Sequence, residues 1–251
     1  MNIFPLHTIP KKIKAKTLEY IGATFLGTVT QVETEKPVVA LTFDGGPDPQ
    51  WTPQYLAILR KYDVPASFFV IGKYVHKHTE IVEDMHREGH VICNHSWDHP
   101  SFPLVNTKER RSQVIECEQS ILPFLTNKIF RPPYCDQTWA SRYDLRRLGY
   151  TVVTANLHAF DWEDRVPDWM AERLITSSKP GDIIMMHDAV CDQRYRSRYH
   201  SLKALDMFLK NKSKQFTFVT LPDLFKSGRP VLRNWVRQPD IERFKSYERV
   251  I

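Results

Sequence analysis

Several polar residues that could move protons stand directly after apolar segments of this sequence. Asp44 ends the run "VVALTFD" and is followed by residues 45–47, "GGP"; Asp161 stands in "HAFDW", and His187 ends "IIMMH". A carboxylate and an imidazole can act as general base and general acid when they meet across a substrate. A structural explanation stays open for two of them: Asp161 as a helix N-cap and His187 as a buried group with satisfied hydrogen bonds.

Two further motifs have the spacing of a binding site. His95 and His99 are four residues apart, and on a helical turn that spacing puts both imidazoles on one face, where they could share a metal ion. Two surface histidines are the alternative. Arg131 begins "RPPY", where an arginine could orient an acid and a backbone N–H near Tyr134 could stabilise an oxyanion. A purely structural Pro-Pro turn is the alternative there.

Short apolar segments alternate with amphipathic segments along the chain, which is typical of parallel strands joined by crossover helices. About seven strands in one domain favour a barrel over an open sheet. The predicted strands are residues 38–43, 66–71, 90–93, 129–131, 151–155, 182–186 and 216–220. The predicted helices are residues 52–62, 81–88, 107–124, 141–148, 166–177 and 201–211.

A single α/β domain is predicted, because the sequence holds no internal repeat and no low-complexity linker. Residues 1–35 and 229–251 lie outside the alternation of strands and helices. They are predicted to be an N-terminal extension and a C-terminal tail around a barrel of residues 36–228. The tail could dock a partner, cover the barrel or make peripheral contact with a membrane surface.

The net charge and the cysteines indicate which kinds of partner and which cellular compartment to expect. The formal net charge of +6 and the pI near 9.1 favour an anionic partner, although the basic clusters are short and a solvated surface explains them more simply. No basic-aromatic platform of the type that binds nucleic acid is found, and neither a signal peptide nor a transmembrane segment is expected. The four cysteines form no CxxC motif and are expected to be reduced thiols of a cytoplasmic protein.

The order of the motifs resembles that of the polysaccharide deacetylase family, the NodB-like carbohydrate esterases. The family signatures are TFDDGP, H(S/T)xxH, RxPY, DxxDW and an apolar strand ending in HD. Here they read "TFDGGP", "HSWDH", "RPPY", "HAFDW" and "MMHD", within about residues 37–224. The resemblance implies a distorted (β/α) barrel and hydrolytic removal of an acetyl group from an acetylated amino sugar or glycan.

The resemblance also assigns catalytic roles, position by position. Asp44 matches the catalytic base that activates water, and Arg131 matches the arginine that holds this base. His187 matches the general acid for the leaving amine, and Asp161 matches the acid that pairs with this histidine. The retention of all four residues favours an active hydrolase.

Binding roles follow from the same resemblance. Tyr134 matches the residue whose backbone N–H faces the oxyanion, and Trp162 is expected to contact the substrate. His95 and His99 match two metal ligands, but the family's third ligand, an aspartate after the base, is Gly45 here. Because glycine has no side chain to coordinate an ion, a divalent metal, expected to be zinc, would be held weakly or not at all.

Three functions remain open from the sequence. The first is deacetylation of an amino sugar, with a lipid-linked or nucleotide-linked glycan as the substrate. The second is metal-independent hydrolysis of a small C–N amide, and the third is carbohydrate binding without catalysis. Two more departures from the family pattern accompany Gly45: His158 replaces the first acid of DxxDW, and Cys135 stands where a glycine often follows RPPY.

Overall fold

The computed structural model describes residues 22–23, 25–163, 165–190 and 197–239. Outside these ranges lie Cys191, residues 1–21 and 24 of the expected extension, and residues 240–251 of the expected tail. The strands are β1 Thr28–Glu33, β2 Val38–Asp44, β3 Ser67–Val70, β4 Val91–Asn94, β5 Ile129–Phe130, β6 Thr151–Val152, β7 Leu157–His158, β8 Ile183–His187, β9 Thr217–Phe218 and β10 Arg229–Arg233. The helices are α1 Thr52–Tyr62, α2 Gly72–Val75, α3 Thr79–Arg87, α4 Thr107–Ile121, α5 Trp139–Arg147, α6 Pro167–Ser177, α7 Tyr199–Lys212 and α8 Leu221–Ser227.

The main sheet has the strand order β6-β5-β4-β3-β2-β8-β7, and β9 pairs with the beginning of β2. All of its recorded strand pairs are parallel, so the carboxyl ends of the strands share one edge. The sheet curls into a half-barrel with helices packed on its outside. This confirms the expected distorted (β/α) barrel of about seven parallel strands.

Side-chain alternation along β2 places Asp44 on the inner face of the curled sheet. Val39, Leu41 and Phe43 belong to the large apolar cluster shared with the outer helices, whereas Ala40 belongs to the inner cluster. Because successive strand residues point to opposite faces, Asp44 lies on the same face as Ala40. The continuous apolar run is therefore that of a strand covered on both sides.

Helix starts are visible in the sequence as proline and capping signals. Pro53, Pro167 and Pro222 stand in the first turns of α1, α6 and α8, where a missing N–H costs no helical hydrogen bond. Thr138 and Ser141 form a capping box at the start of α5. These local signals explain why the long helices were predicted close to their observed bounds.

A two-stranded antiparallel ribbon, β1 with β10, joins the described parts of the expected extension and tail. Val29 and Val32 of β1 are buried in the inner apolar cluster. The carbonyl of Val29 accepts a hydrogen bond from Thr154 N at 2.9 Å, so β1 runs beside the chain that follows β6. The ribbon thus packs on the barrel, and the domain boundaries at residues 35 and 229 remain a prediction.

Cys93, Cys117 and Cys135 are buried free thiols, and burial raises the pKa of Cys117 to about 12 and that of Cys135 to about 11. Burial therefore keeps these thiols protonated near neutral pH. In the ranges that the structure describes, no helix has both the length and the apolar character needed to cross a membrane.

Candidate active site

Asp44 is held at the carboxyl end of β2 by a buried arginine. Arg131 Nη1 donates to Asp44 Oδ1 at 2.5 Å and to Thr42 Oγ1 at 2.9 Å. Arg131 Nη2 donates to the carbonyl of Thr154 at 3.2 Å, and the arginine is 0% exposed. These contacts fix the guanidinium and leave Asp44 Oδ2 directed towards His95, whose Nε2 lies 3.9 Å away.

His187 is oriented by a second carboxylate. Its Nδ1 lies 2.8 Å from Asp161 Oδ1, and its backbone N–H donates to Asp161 Oδ2 at 2.7 Å. Burial favours a raised pKa for Asp161, but the charge of His187, its hydrogen bonds and Arg198 outweigh burial, and the pKa is lowered. The ionised Asp161 therefore accepts the Nδ1 proton, and Nε2 is the ring nitrogen left for proton transfer.

Two residues of the α7 region hold Asp161 in turn, and neither was predicted from the sequence. Ser201 Oγ donates to Asp161 Oδ2 at 3.0 Å, and Arg198 Nη1 donates to the carbonyl of Asp161 at 2.6 Å. Ser201 and Arg198 are both 2% exposed. Neither stands in a recognisable motif, and they lie about 40 residues further along the chain, so no sequence signal pointed to them.

The two predicted metal histidines meet, although the predicted helical turn is wrong. Residues 95–99 form a bend without helix, with Ser96 at φ 71° and His99 at φ 70°. This left-handed backbone folds His99 back, so that its Nε2 lies 3.2 Å from His95 Nε2. Burial lowers the pKa of His95 to about 3 and that of His99 well below its usual value, so both rings are neutral.

The donor set around these histidines does not fit the family's three-ligand metal site. Two imidazoles converge, but Gly45 offers no side chain, and Asp44 Oδ1 is engaged by Arg131. Among the described residues, no group of three His, Cys, Asp or Glu side chains is arranged to hold a metal ion. Catalytic zinc sites commonly use three protein ligands, so this site is one ligand short.

The "RPPY" motif forms a strained turn beside the histidines. Tyr134 has φ 58° and Cys135 has φ 56°, and a left-handed conformation costs a residue other than glycine about 1–2 kcal/mol. The turn is closed by Cys135 N donating to Pro132 O at 2.9 Å. The ring of Tyr134 packs edge-on against His99 with centroids 4.6 Å apart, so this turn borders the histidine pair.

Asp188, the second residue of the "HD" motif, ties β8 to the loop after Asp44. Its Oδ1 accepts from Gly46 N at 3.1 Å and its Oδ2 accepts from Thr52 Oγ1 at 2.6 Å. Burial raises the pKa of Asp188 to about 7. A Cβ on Gly46 would lie 2.2 Å from Asp188 Oδ2, so this close contact requires glycine.

These elements enclose a cavity of about 380 Å³ at the carboxyl edge of the sheet. Arg131 and Asp161 are buried and do not line the cavity, but they bind Asp44 and His187, which do. The predicted site residues that line the cavity directly are Asp44, His95, His99, Tyr134, Trp162 and His187.

His158 and two residues of the C-terminal segment, Trp235 and Arg237, complete part of the cavity wall. The ring of His158 packs edge-on against Trp162 with centroids 5.7 Å apart. Burial lowers the pKa of His158 to about 4, so it is a neutral residue where the family has an acid. Trp235 belongs to the expected C-terminal tail, in which the sequence assigned no residue to the site.

The sequence is similar to proteins of one known family. The family model described as "Polysaccharide deacetylase" matches residues 31–153. The chain is 34% identical over 202 residues to a peptidoglycan-N-acetylglucosamine deacetylase of Bacillus cereus, covering 77% of this chain and 70% of that relative. It is 32% identical over 167 residues to a chitooligosaccharide deacetylase of Sinorhizobium fredii, covering 65% of this chain and 78% of that relative.

Solved structures share the fold. The crystal structure of the Bc1960 peptidoglycan N-acetylglucosamine deacetylase superposes with a TM-score of 0.74 at 30% identity, covering 82% of this chain and 96% of that chain. The likeness therefore extends over most of this chain.

Proposed function

Because the chain belongs to the polysaccharide deacetylase family, we propose that it is a hydrolase that removes the acetyl group from an acetylated amino sugar. One observation carries the proposal: Asp44 and His187 stand at neighbouring strand ends, each held by its own buried partner. A base and an acid that are oriented separately are what amide hydrolysis requires. The names of the relatives favour a sugar substrate over a small ring amide.

The reaction follows from the positions of these groups. Asp44 takes a proton from water, whose oxygen attacks the acetyl carbonyl carbon. The backbone N–H of Tyr134 is proposed to stabilise the resulting oxyanion. His187, which must carry a proton on Nε2 as well as on Nδ1 at this step, gives the Nε2 proton to the sugar nitrogen as the C–N bond breaks. Acetic acid and a free amino sugar leave, and the proton that Asp44 took from water returns to His187. Trp162, whose ring lies 5.6 Å from that of His187, is proposed to pack against the sugar that carries the leaving amine.

The family generally uses a divalent metal, and we propose that this chain binds such an ion, with zinc as the first candidate, only weakly. His95 and His99 support binding of the ion, because they are neutral donors with converging Nε2 atoms. The binding is weak because Gly45 supplies no anionic third ligand. Weak occupancy would make turnover depend on the concentration of added metal.

As the specific substrate we propose a lipid-linked or nucleotide-linked glycan that is deacetylated in the cytoplasm. The net charge of +6 supports an anionic carrier on that substrate. The buried free thiols are compatible with a reducing compartment. Peripheral contact of the basic tail with a membrane surface belongs to the same proposal.

The test is acetate release from an N-acetylglucosamine tetramer, with and without added zinc, by the native protein and by Asp44→Asn. Acetate release that the substitution abolishes supports deacetylation at this site. The incomplete ligand set favours one other function, glycan binding without catalysis. That function predicts measurable affinity for the tetramer with no acetate release at any metal concentration.

A further inference from the structure

The described segment that follows β10, residues 234–239, returns to the cavity. Two of its residues, Trp235 and Arg237, line the cavity. The indole N–H of Trp235 donates to the carbonyl of Cys135 at 3.1 Å, which is the residue after Tyr134. Segment 234–237, called the C-terminal segment below, therefore lies against the turn to which the oxyanion role is assigned.

The C-terminal segment is held by backbone and side-chain contacts with the barrel. Gln137 N donates to Arg237 O at 3.0 Å and Arg237 N donates to Gln137 O at 3.1 Å, a two-way antiparallel bridge. Arg142, which is 1% exposed, donates from Nη2 to Asn234 Oδ1 at 2.6 Å. A segment anchored on both sides of Trp235 presents that indole in a defined position.

Two indoles border the cavity at different places. Trp162 packs against the ring of His187 and so lies on the side of the general acid. Trp235 lies on the side of the "RPPY" turn through its bond to Cys135. Trp235 is half-buried, with part of its ring packed against the inner apolar cluster and part facing the cavity.

The C-terminal segment forms the rim of the cavity rather than its floor. Val236 is 44% exposed, and the side chain of Arg237 is 52% exposed. An aromatic ring at a cavity rim, whose N–H is already satisfied, offers an apolar face to a ligand that extends out of the cavity. In a glycan, the group that extends out of the cavity is the next sugar ring.

We propose that Trp235 is a substrate-binding residue that packs against the sugar ring adjoining the acetylated one. The preferred substrate is then an oligosaccharide of N-acetylated amino sugars rather than the monosaccharide. This rests on the proposed function of the site. The apolar C–H face of a pyranose ring suits an indole face, and such a contact is worth about tenfold in affinity.

The test is calorimetric binding of N-acetylglucosamine and of its tetramer. All proteins carry Asp44→Asn, so that bound sugar is not hydrolysed. With Trp235→Ala added, the tetramer should bind about tenfold more weakly, and the monosaccharide should change less than about twofold. Trp235→Phe should retain most of the affinity for the tetramer, since it keeps an aromatic face but loses the bond to Cys135.

Several outcomes overturn the inference. An equal loss for both sugars would assign Trp235 to the acetyl pocket or to the loop structure, and no loss would remove it from the site. Trp235→Phe behaving like Trp235→Ala would make the bond to Cys135 the important feature. If Trp235→Ala does not fold, Trp235→Leu replaces it with the same expectation. Absence of binding of either sugar to the protein with native Trp235 would instead contradict the proposed function.

Discussion

Asp44 and His187 are direct register partners on the neighbouring parallel strands β2 and β8. Adjacent strands lie about 4.8 Å apart, so the sheet fixes the distance between the two backbones. Only the side-chain torsions of Asp44 and His187 can then change the distance between the carboxylate and the imidazole. Each then has its own buried partner, Arg131 for Asp44 and Asp161 for His187. The hydrogen-bonded sheet thus supplies the spacing that a base and an acid need on two sides of one amide.

Asp44→Asn should lower kcat by about 10²-fold or more, because the amide cannot take a proton from water. The protein should still fold, with a lower melting temperature, since Arg131 loses its buried anionic partner. The measurement is initial rates of acetate release together with thermal denaturation. Asp48→Asn is the control on the same loop: Asp48 Oδ1 accepts backbone N–H bonds that an asparagine can keep. Unchanged turnover in Asp44→Asn would exclude Asp44 as the base.

Ser201→Ala should lower kcat several-fold, about 3- to 10-fold, with little change in KM. The hydroxyl orients Asp161, which orients the acid His187, so its loss acts in the transition state more than on binding. Steady-state kinetics with the tetramer separate the two constants. Ser112→Ala, at an exposed serine of α4, is the matched control. A rise in KM alone would show that Ser201 acts on substrate binding instead.

Gly45→Asp should tighten the binding of a divalent ion, because it adds an anionic ligand next to two neutral imidazoles. Gly45 has φ 100°, so an aspartate there also strains the loop, and the melting temperature without metal should fall. Zinc titration by calorimetry on tag-free protein measures the affinity.

Gly45→Asn is the control for this substitution, since asparagine has the same shape and strain without the charge. It should destabilise the loop without the gain in affinity. Equal zinc affinity in the native protein and Gly45→Asp would mean that the strained loop holds the new carboxylate away from the histidines.

Asp188→Asn should change the pH dependence of stability. The pKa of Asp188 is raised from 3.8 to about 7 in the folded protein, so the folded state retains a proton that the unfolded chain has already lost. The stabilising contribution of the protonated acid is complete below about pH 4 and declines as pH rises towards 7, by up to about 1.4 kcal/mol per pH unit.

Asparagine resembles the protonated acid: its oxygen can accept from Gly46 N and its amide can donate to Thr52 Oγ1. Asp188→Asn should therefore gain melting temperature relative to the native protein between pH 4 and pH 7, with no further gain above pH 8. Thermal denaturation at pH 4, 5, 6, 7 and 8 measures the difference. A difference that is constant with pH would show that Asp188 is ionised throughout this range.

Much of the barrel could be predicted because its signals are local. The apolar run before Asp44, the proline at the start of α1 and the helical periodicity that follows each act over a few residues, and β2 and α1 were placed almost to the residue. β7 was missed because its Leu157 stands between the polar residues Asn156 and His158, so no apolar run marks this strand. β1 was missed because its partner β10 lies about 200 residues away.

The sequence by itself determined which residue types end the strands, and with them the family and the acid–base chemistry. The tertiary structure alone decided how those residues are held: that His99 folds back on a left-handed bend rather than a helix, that Ser201 orients Asp161, and that Trp235 returns to the cavity. The physical reason is the separation along the chain between the residues that interact. Side-chain alternation and capping depend on neighbours along the chain, whereas these contacts form only when distant segments pack together, and no local pattern encodes their partners.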